Sequence, residues 1–350
     1  MKKILISALY AIAVLTSVSC AKHTSVGPND GNKRYFDAWM QVNHPDAKPV
    51  GLGIYILEDK QGQGVEVGDA GYVNLNYKVT DLENNISAYT DKETAKQLGD
   101  YDTTSYYGPK FLTTAEGSNP AGLLEAIVGM KVGGYRKVII PSWLMNYSVY
   151  KTEAEYLDPD DEDYNASSYS NAIYEFTISD YTENMGKWQE DQIGKYFKAN
   201  TDIFGAMTPA DSLPDHRGFY YKQLEAPTDT TSFKADTTLY INYTGRLLNG
   251  LVFDTSIEKV AKDNGLYSAG KSYKPVQINW GENYEDITMG SGSSSIISGF
   301  ALTLWQMRSM EKGIGVFVSD YGYKSSGSGS SIPGFAPLIF EIELVAKPED

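Results

Sequence analysis

The chain has 350 residues, 41% hydrophobic and 21% charged, with 45 acidic against 30 basic side chains and a formal net charge of −15. At roughly 150 residues per domain this length predicts two domains, and the apolar content excludes general disorder. A surface so negative, with no Lys/Arg-rich run, excludes nucleic acid as a partner. The 27 tyrosines and 33 glycines favour sheets and turns over helical bundles. His23, His44, His216 and the single Cys20 leave almost nothing for zinc, haem or a Cys–His couple, so neither a metal nor another cofactor is expected.

In chain order, a basic start, Met1-Lys2-Lys3, leads into the apolar stretch Ile4 to Val18. About 15 apolar residues are too few for a bilayer, which needs about 20, but they suit a secretory signal. The ending Ser-Val-Ser-Cys resembles a bacterial lipoprotein processing site with Cys20 as the lipidated first residue, although Ser17 stands where Leu is usual. An ordinary signal peptide with an incidental Cys is the alternative. Residues 1–20 are therefore expected to be a lipoprotein signal peptide. Acyl chains on Cys20 would hold the protein in the bacterial cell envelope, on the periplasmic or surface side of the outer membrane.

The remainder is built twice. Residues 21–50 read as a tether (21–32) and a short helix around KRYFDAWMQVNHPD (33–46), before the alternation GLGIYILE (51–58). GKWQEDQIGKYFKAN (186–200) before GFYYKQLE (218–225) repeats that order. DAGYVNLNY (69–77) is echoed by ADTTLYINY (235–243), both at the period of half-buried strands. GLLEAIVGMKVGGYRKVIIP (122–141) matches GFALTLWQMRSMEKGIGVFV (299–318), a helix leading into a strand. AIYEFTISDY (172–181) matches LIFEIELVAK (338–347), with Phe176 set against Phe340. The expected division is 51–184 and 213–350, with a helical linker over 185–212.

Two kinds of insertion interrupt the copies. YLDPDDEDYNASSY (156–169) is acidic, but it has no Gly where a calcium loop must turn, so it reads as a solvated loop. MGSGSSS (289–295) and KSSGSGSS (324–331) are Gly/Ser loops, mobile by composition.

The second copy carries NYTGRLLNGLVFDTS (242–256), in which Asn249-Gly250 is a strong hairpin signal that delivers Tyr243 on one strand and Phe253-Asp254 on the next. Downstream come SIISGFALTLWQM (295–307) and DYGYKSSGSGSSIPGFAPLIFEIEL (320–344). From Gly218 to Leu344 these motifs, in this order, resemble an FKBP-type peptidyl-prolyl cis-trans isomerase. The resemblance implies an α+β fold: two FKBP-like domains, each an antiparallel sheet of five or six strands wrapped around a short helix.

It also implies an aromatic pocket. Tyr243, Phe253 and Asp254 form one wall, and Phe300 takes the floor position usual for Trp. Ile296 and Ile297 precede the helix, the Tyr323 hydroxyl and the Ile297 N–H meet the substrate carbonyl, and Val276, Ile332 and Phe340 complete the lining. Tyr243, Phe253, Asp254, Ile297, Phe300 and Tyr323 would carry catalysis, and Val276, Ile296, Ile332 and Phe340 would bind substrate. Val276 replaces a usual Phe, and Lys324 and Met310 replace glycines. No Arg follows Asp254, which leaves Lys259 as its expected partner.

The first copy has Tyr77 for Tyr243, no Phe-Asp pair in NNISAYT (84–90), Leu123 on the floor, and Asn146 in the loop-tyrosine slot beside Tyr147. It reads as a degenerate FKBP-like domain that serves for spacing or for holding unfolded chains; the alternative is an active domain with its tyrosine shifted to Tyr147. The implied function is prolyl isomerisation of proline-containing exported polypeptides. The alternatives are a non-catalytic peptide-binding chaperone, or a surface lipoprotein on FKBP-like folds.

Overall fold

The computed structural model describes residues 28–145 and 170–349. The signal segment with Cys20, the Asn146-Tyr147 pair and the acidic insertion lie outside the described residues.

The described residues begin with helix α1 (Pro28–Asn43), which starts inside the expected tether; a proline suits the first turn of a helix. The first sheet follows: β1 (Tyr55–Lys60), β2 (Tyr72–Asp81), β3 (Ile86–Tyr89), helix α2 (Lys92–Leu98), β4 (Lys110–Thr113), helix α3 (Ala121–Ile127), β5 (Tyr135–Ile140) and β6 (Ala172–Thr182). Its order is β1-β5-β6-β2-β3, with β4 also on β2.

Helix α4 (Met185–Ala199) and the one-turn α5 (Thr201–Phe204) lead to the second sheet. This contains β7 (Phe219–Glu225), β8 (Thr238–Leu247), β9 (Val252–Thr255), helix α6 (Glu258–Asp263), β10 (Val276–Asn279), the two-residue β11 (Thr288–Met289) and β12 (Ser294–Ser295), helix α7 (Ser298–Gln306), β13 (Lys312–Phe317) and β14 (Leu338–Val345). Its order is β12-β11-β10-β8-β14-β13-β7, with β9 also on β8. Replacing β1, β5, β6, β2, β3 and β4 by β7, β13, β14, β8, β9 and β10 reproduces the first sheet's pairing, and the pairs are antiparallel. The architecture is α+β with two like domains.

Each sheet is covered on both faces. Helix α3 packs inside the first sheet against a core that includes Val73, Leu75, Val138 and Phe176. Helix α7 does the same in the second, among Ile241, Phe300, Phe317 and Ile342. On the outer faces, α1 lays Phe36 and Met40 on Ile139 and Ile173, and α4 lays Ile193 and Phe197 on Val316 and Ile339. Helix α4 is therefore part of the second domain and not a linker crossing open space. Its i, i+4 apolar pair forms the stripe that a surface helix buries.

The Asn249-Gly250 turn forms as expected. Gly250 sits at φ 90°, a conformation that favours glycine, and the Leu247 N–H donates to Leu251 O at 2.9 Å.

Several tyrosines are buried or half-buried in this framework. Burial pushes Tyr174 and Tyr220 up to about 12, and burial, then Glu175, does the same for Tyr135. Stability from these groups is complete below the unfolded-chain value of about 10 and is lost as pH rises toward their folded values. The urea midpoint should hold steady up to about pH 9.5 and then decline through pH 11; a flat midpoint across that range would contradict the assignment.

Candidate active site

The register of the second sheet assembles the site. Gly245 faces Asp254 and Arg246 faces Val252, so Phe253 is the additional residue of a β-bulge. A bulge re-aims a side chain, and here the Phe253 ring meets Phe340 edge to face at 5.5 Å. A Cβ on Gly245 would lie 2.6 Å from the Phe253 ring and 2.8 Å from Phe340. Only glycine at that point of the NYTG motif lets the ring close over the strand.

Phe300, on the first turn of α7, is 3% exposed. It lies 5.4 Å from Tyr243 and 4.9 Å from Phe340, with ring planes near perpendicular in both pairs. This edge-to-face geometry is the favoured one for aromatic rings. The helix approaches closely because Gly299 packs flat on Phe317. Ile332 joins Tyr243, Phe300 and Phe340 in the buried cluster, and Phe253, Val276, Ile296, Ile297 and Tyr323 pack against it half-buried. Each of these expected lining residues thus belongs to the second domain's core or packs on it.

Asp254 stands at the polar edge. It accepts the Tyr243 hydroxyl at 2.6 Å, and it accepts Lys271 Nζ and the Thr255 N–H at 2.7 and 2.9 Å. Lys271 is its cation. The expected partner, Lys259, instead pairs with Asp263 one turn along α6, at 2.6 Å, because i, i+4 neighbours on a helix meet first. Burial, then the Asp254 charge, holds the Tyr243 hydroxyl far above its ordinary value. The same causes in the same order raise Tyr323. Both phenols therefore stay protonated, as hydrogen-bond donors, through neutral and mildly alkaline pH. Among the described residues, neither the Tyr323 hydroxyl nor the Ile297 N–H has a hydrogen-bond partner.

The first domain has the same frame with different side chains. The Tyr77 N–H donates to Thr90 Oγ1 as the Tyr243 N–H does to Ser256 Oγ. Val79 faces Ala88, so Ser87-Ala88 stand where the second domain has Phe253-Asp254. Val79 also faces Tyr174, as Gly245 faces Phe340. Tyr174, not Phe176, is therefore the counterpart of Phe340, which corrects the expected pairing by two residues. Leu123 lies at the Phe300 position. Between them is a cavity of about 310 Å³ lined by Leu75, Tyr77, Phe111, Leu123, Tyr174 and Phe176 among others. It keeps the apolar walls and lacks the carboxylate.

Two features of the site carried little signal in the sequence. Lys271 comes from a loop 17 residues after Asp254. Gly245 was visible as one letter of a motif, but its reason is a ring contact that only the bulge creates.

Residues 229–345 match the family described as FKBP-type peptidyl-prolyl cis-trans isomerase. The chain is 30% identical over 125 residues to FK506-binding protein 1A of Aspergillus fumigatus, a match covering 35% of this chain and 90% of that protein. It is 27% identical over 161 residues to a probable FKBP-type peptidyl-prolyl cis-trans isomerase of Haemophilus influenzae, covering 45% of this chain and 56% of that one. The crystal structure of the three FKBP domains of wheat FKBP73 aligns over 85% of this chain and 95% of its own, with 13% identity and a TM-score of 0.29. The chain belongs to the FKBP-type peptidyl-prolyl cis-trans isomerase family.

Proposed function

We propose that the second domain turns X–Pro bonds of exported polypeptides inside the pocket formed by Tyr243, Phe253, Phe300, Tyr323 and Phe340. The observation that carries this reading is the Tyr243–Asp254 hydrogen bond at 2.6 Å on the rim of a ring-lined cluster. Rotation must defeat amide resonance, a barrier of about 18–20 kcal/mol, and unaided it takes tens to hundreds of seconds. The planar amide is strongly dipolar, and the twisted form has lost much of that charge separation. Aromatic walls solvate the twisted form better, relative to water, than they solvate the planar one, which is the differential binding that catalysis requires. The free Tyr323 hydroxyl and Ile297 N–H are donors for the carbonyls flanking the bond. Asp254, oriented by Tyr243 and Lys271, places a fixed negative charge beside it.

The test is protease-coupled isomerisation of a Leu-Pro or Phe-Pro tetrapeptide by the full chain. Tyr323→Phe should lower kcat/KM about three- to tenfold, the effect of one hydrogen bond worth about 1 kcal/mol. An unchanged rate would remove Tyr323 from the mechanism. The first domain's cavity favours a second, non-catalytic contribution, the holding of apolar side chains of the same unfolded chain.

The reading of exported clients rests on the sequence of residues 1–20. We place the protein in the cell envelope, anchored through acyl chains on Cys20. Cys20→Ser should release it to the soluble fraction or leave it unprocessed, and it should abolish labelling by a fatty-acid analogue. Equal labelling of both forms would overturn the anchor.

A further inference from the structure

The loop that carries Ile332 and begins at Tyr323 is poorly equipped to hold its own shape. Residues 325–331 read Ser-Ser-Gly-Ser-Gly-Ser-Ser, a composition with high backbone entropy and no apolar anchor. Lys324 lies at φ 53° and Phe335 at φ 61°, a region disfavoured for residues with side chains. Within the loop, Ser328 and Ile332 exchange backbone hydrogen bonds at 2.8 and 3.1 Å, and the Phe335 N–H reaches Lys324 O at 2.7 Å.

Its own domain adds the burial of Ile332 and the Gly327 N–H to Tyr323 O and Lys324 N–H to Ser319 O bonds at 3.1 and 2.9 Å, and the first domain supplies further support at the tip. The Tyr106 N–H donates to Ser330 O at 2.8 Å, and Ser105 Oγ meets Ser330 Oγ at 3.0 Å. The Tyr106 ring packs on the second domain's core cluster, and its own hydroxyl is tied back to Pro109 O at 3.1 Å. At the far end of the loop, the Phe335 ring is met by Tyr72 at 5.2 Å and by Phe111 at 5.9 Å. Thr103 of the same first-domain segment lies against Gly265. Gly265 follows the end of α6 and opens the loop that delivers Lys271 to Asp254. Residues 103–106 therefore contact both the 323–336 loop and the start of the Lys271 loop.

We infer that the first domain is a brace for the second domain's pocket, with Tyr106 as a positioning residue for catalysis carried out by the other domain. This rests on the catalytic reading given above. A loop held in its bound shape spares the substrate the entropy of ordering it. The brace therefore acts on substrate binding, through the loop that carries Ser330 and Ile332. Loss of the brace raises KM and leaves kcat nearly unchanged, the signature of lost uniform binding.

The experiment uses the full chain with Tyr106→Ala, Tyr106→Phe and Phe335→Gly. The last removes the ring held by Tyr72 and Phe111 while relieving the backbone at φ 61°, which keeps the test open if Tyr106→Ala folds poorly. Tyr106→Ala and Phe335→Gly should each raise KM, and the Kd of a labelled prolyl peptide, about five- to tenfold, with kcat within about twofold. Amide exchange at Ser328 and Ile332 should accelerate about tenfold in both. Tyr106→Phe, which keeps the ring, should restore wild-type KM. Wild-type KM, Kd and exchange in both ring-removing variants would overturn the brace. If the wild-type chain accelerates no peptide, the catalytic reading fails by itself, and peptide Kd and amide exchange still decide for or against the brace.

Discussion

Asp254→Ala in the full chain should lower kcat/KM for prolyl isomerisation about 10- to 100-fold. The carboxylate accepts the Tyr243 hydroxyl at 2.6 Å and pairs with Lys271 at 2.7 Å. A hydrogen bond to a charged group is worth about 1.5–3 kcal/mol, and its loss leaves the buried Tyr243 phenol without an acceptor. Asp254→Asn separates the contributions, because the amide oxygen can still accept from Tyr243 while the charge is gone. If the charge orients the substrate bond, the Asn variant should fall near the Ala variant. If the hydrogen bond alone matters, it should sit near wild type. Wild-type rates in both variants would remove Asp254 from the chemistry.

Phe300→Ala should produce the largest loss of stability, about 3–5 kcal/mol, the usual cost of deleting a buried aromatic ring and leaving a cavity. Phe300 touches Tyr243 and Phe340 in edge-to-face contacts, so its removal takes away contacts from two pocket walls together. Against a total stability of about 5–15 kcal/mol for an ordinary domain, that is at least about a fifth of the margin. Phe300→Leu, which places in the second domain the residue that Leu123 supplies in the first, should cost less because it fills part of the space. Urea unfolding of the variants measures both effects. A cost below about 1 kcal/mol for the Ala variant would show that the cluster collapses onto the gap.

The strands were legible because period-two alternation and an Asn-Gly turn are local signals, and the hairpin they specify delivers Tyr243 and Phe253-Asp254 together. What failed was non-local. Phe176 and Tyr174 both belong to an alternating strand, and a slip of two residues keeps every side chain on its face. Alternation alone therefore does not choose between them, although 172–181 laid end to end on 338–347 sets Tyr174 against Phe340, and the ladder opposite Val79 has that register. The basic residue nearest Asp254 on α6 is Lys259, which the helix itself claims for Asp263, while Lys271 arrives from an irregular loop. The apolar stripe of α4 was visible, but nothing in its own sequence says which sheet it covers. The contacts of Tyr106 and Phe335 join segments more than two hundred residues apart, beyond the reach of any motif.

The docking of α4 on the second sheet decides where the chain can be cut. Ile193, Phe197 and Phe204 seal one face made by Tyr220, Ile314, Val316, Val318 and Ile339. A fragment beginning at residue 213 would present that face to water as one continuous greasy surface, of the kind that drives self-association. A fragment beginning at Met185 would carry its own cover. The shorter piece should precipitate or form oligomers at concentrations where the longer one runs as a monomer, so the smallest soluble form of the second domain includes the helix that precedes its first strand.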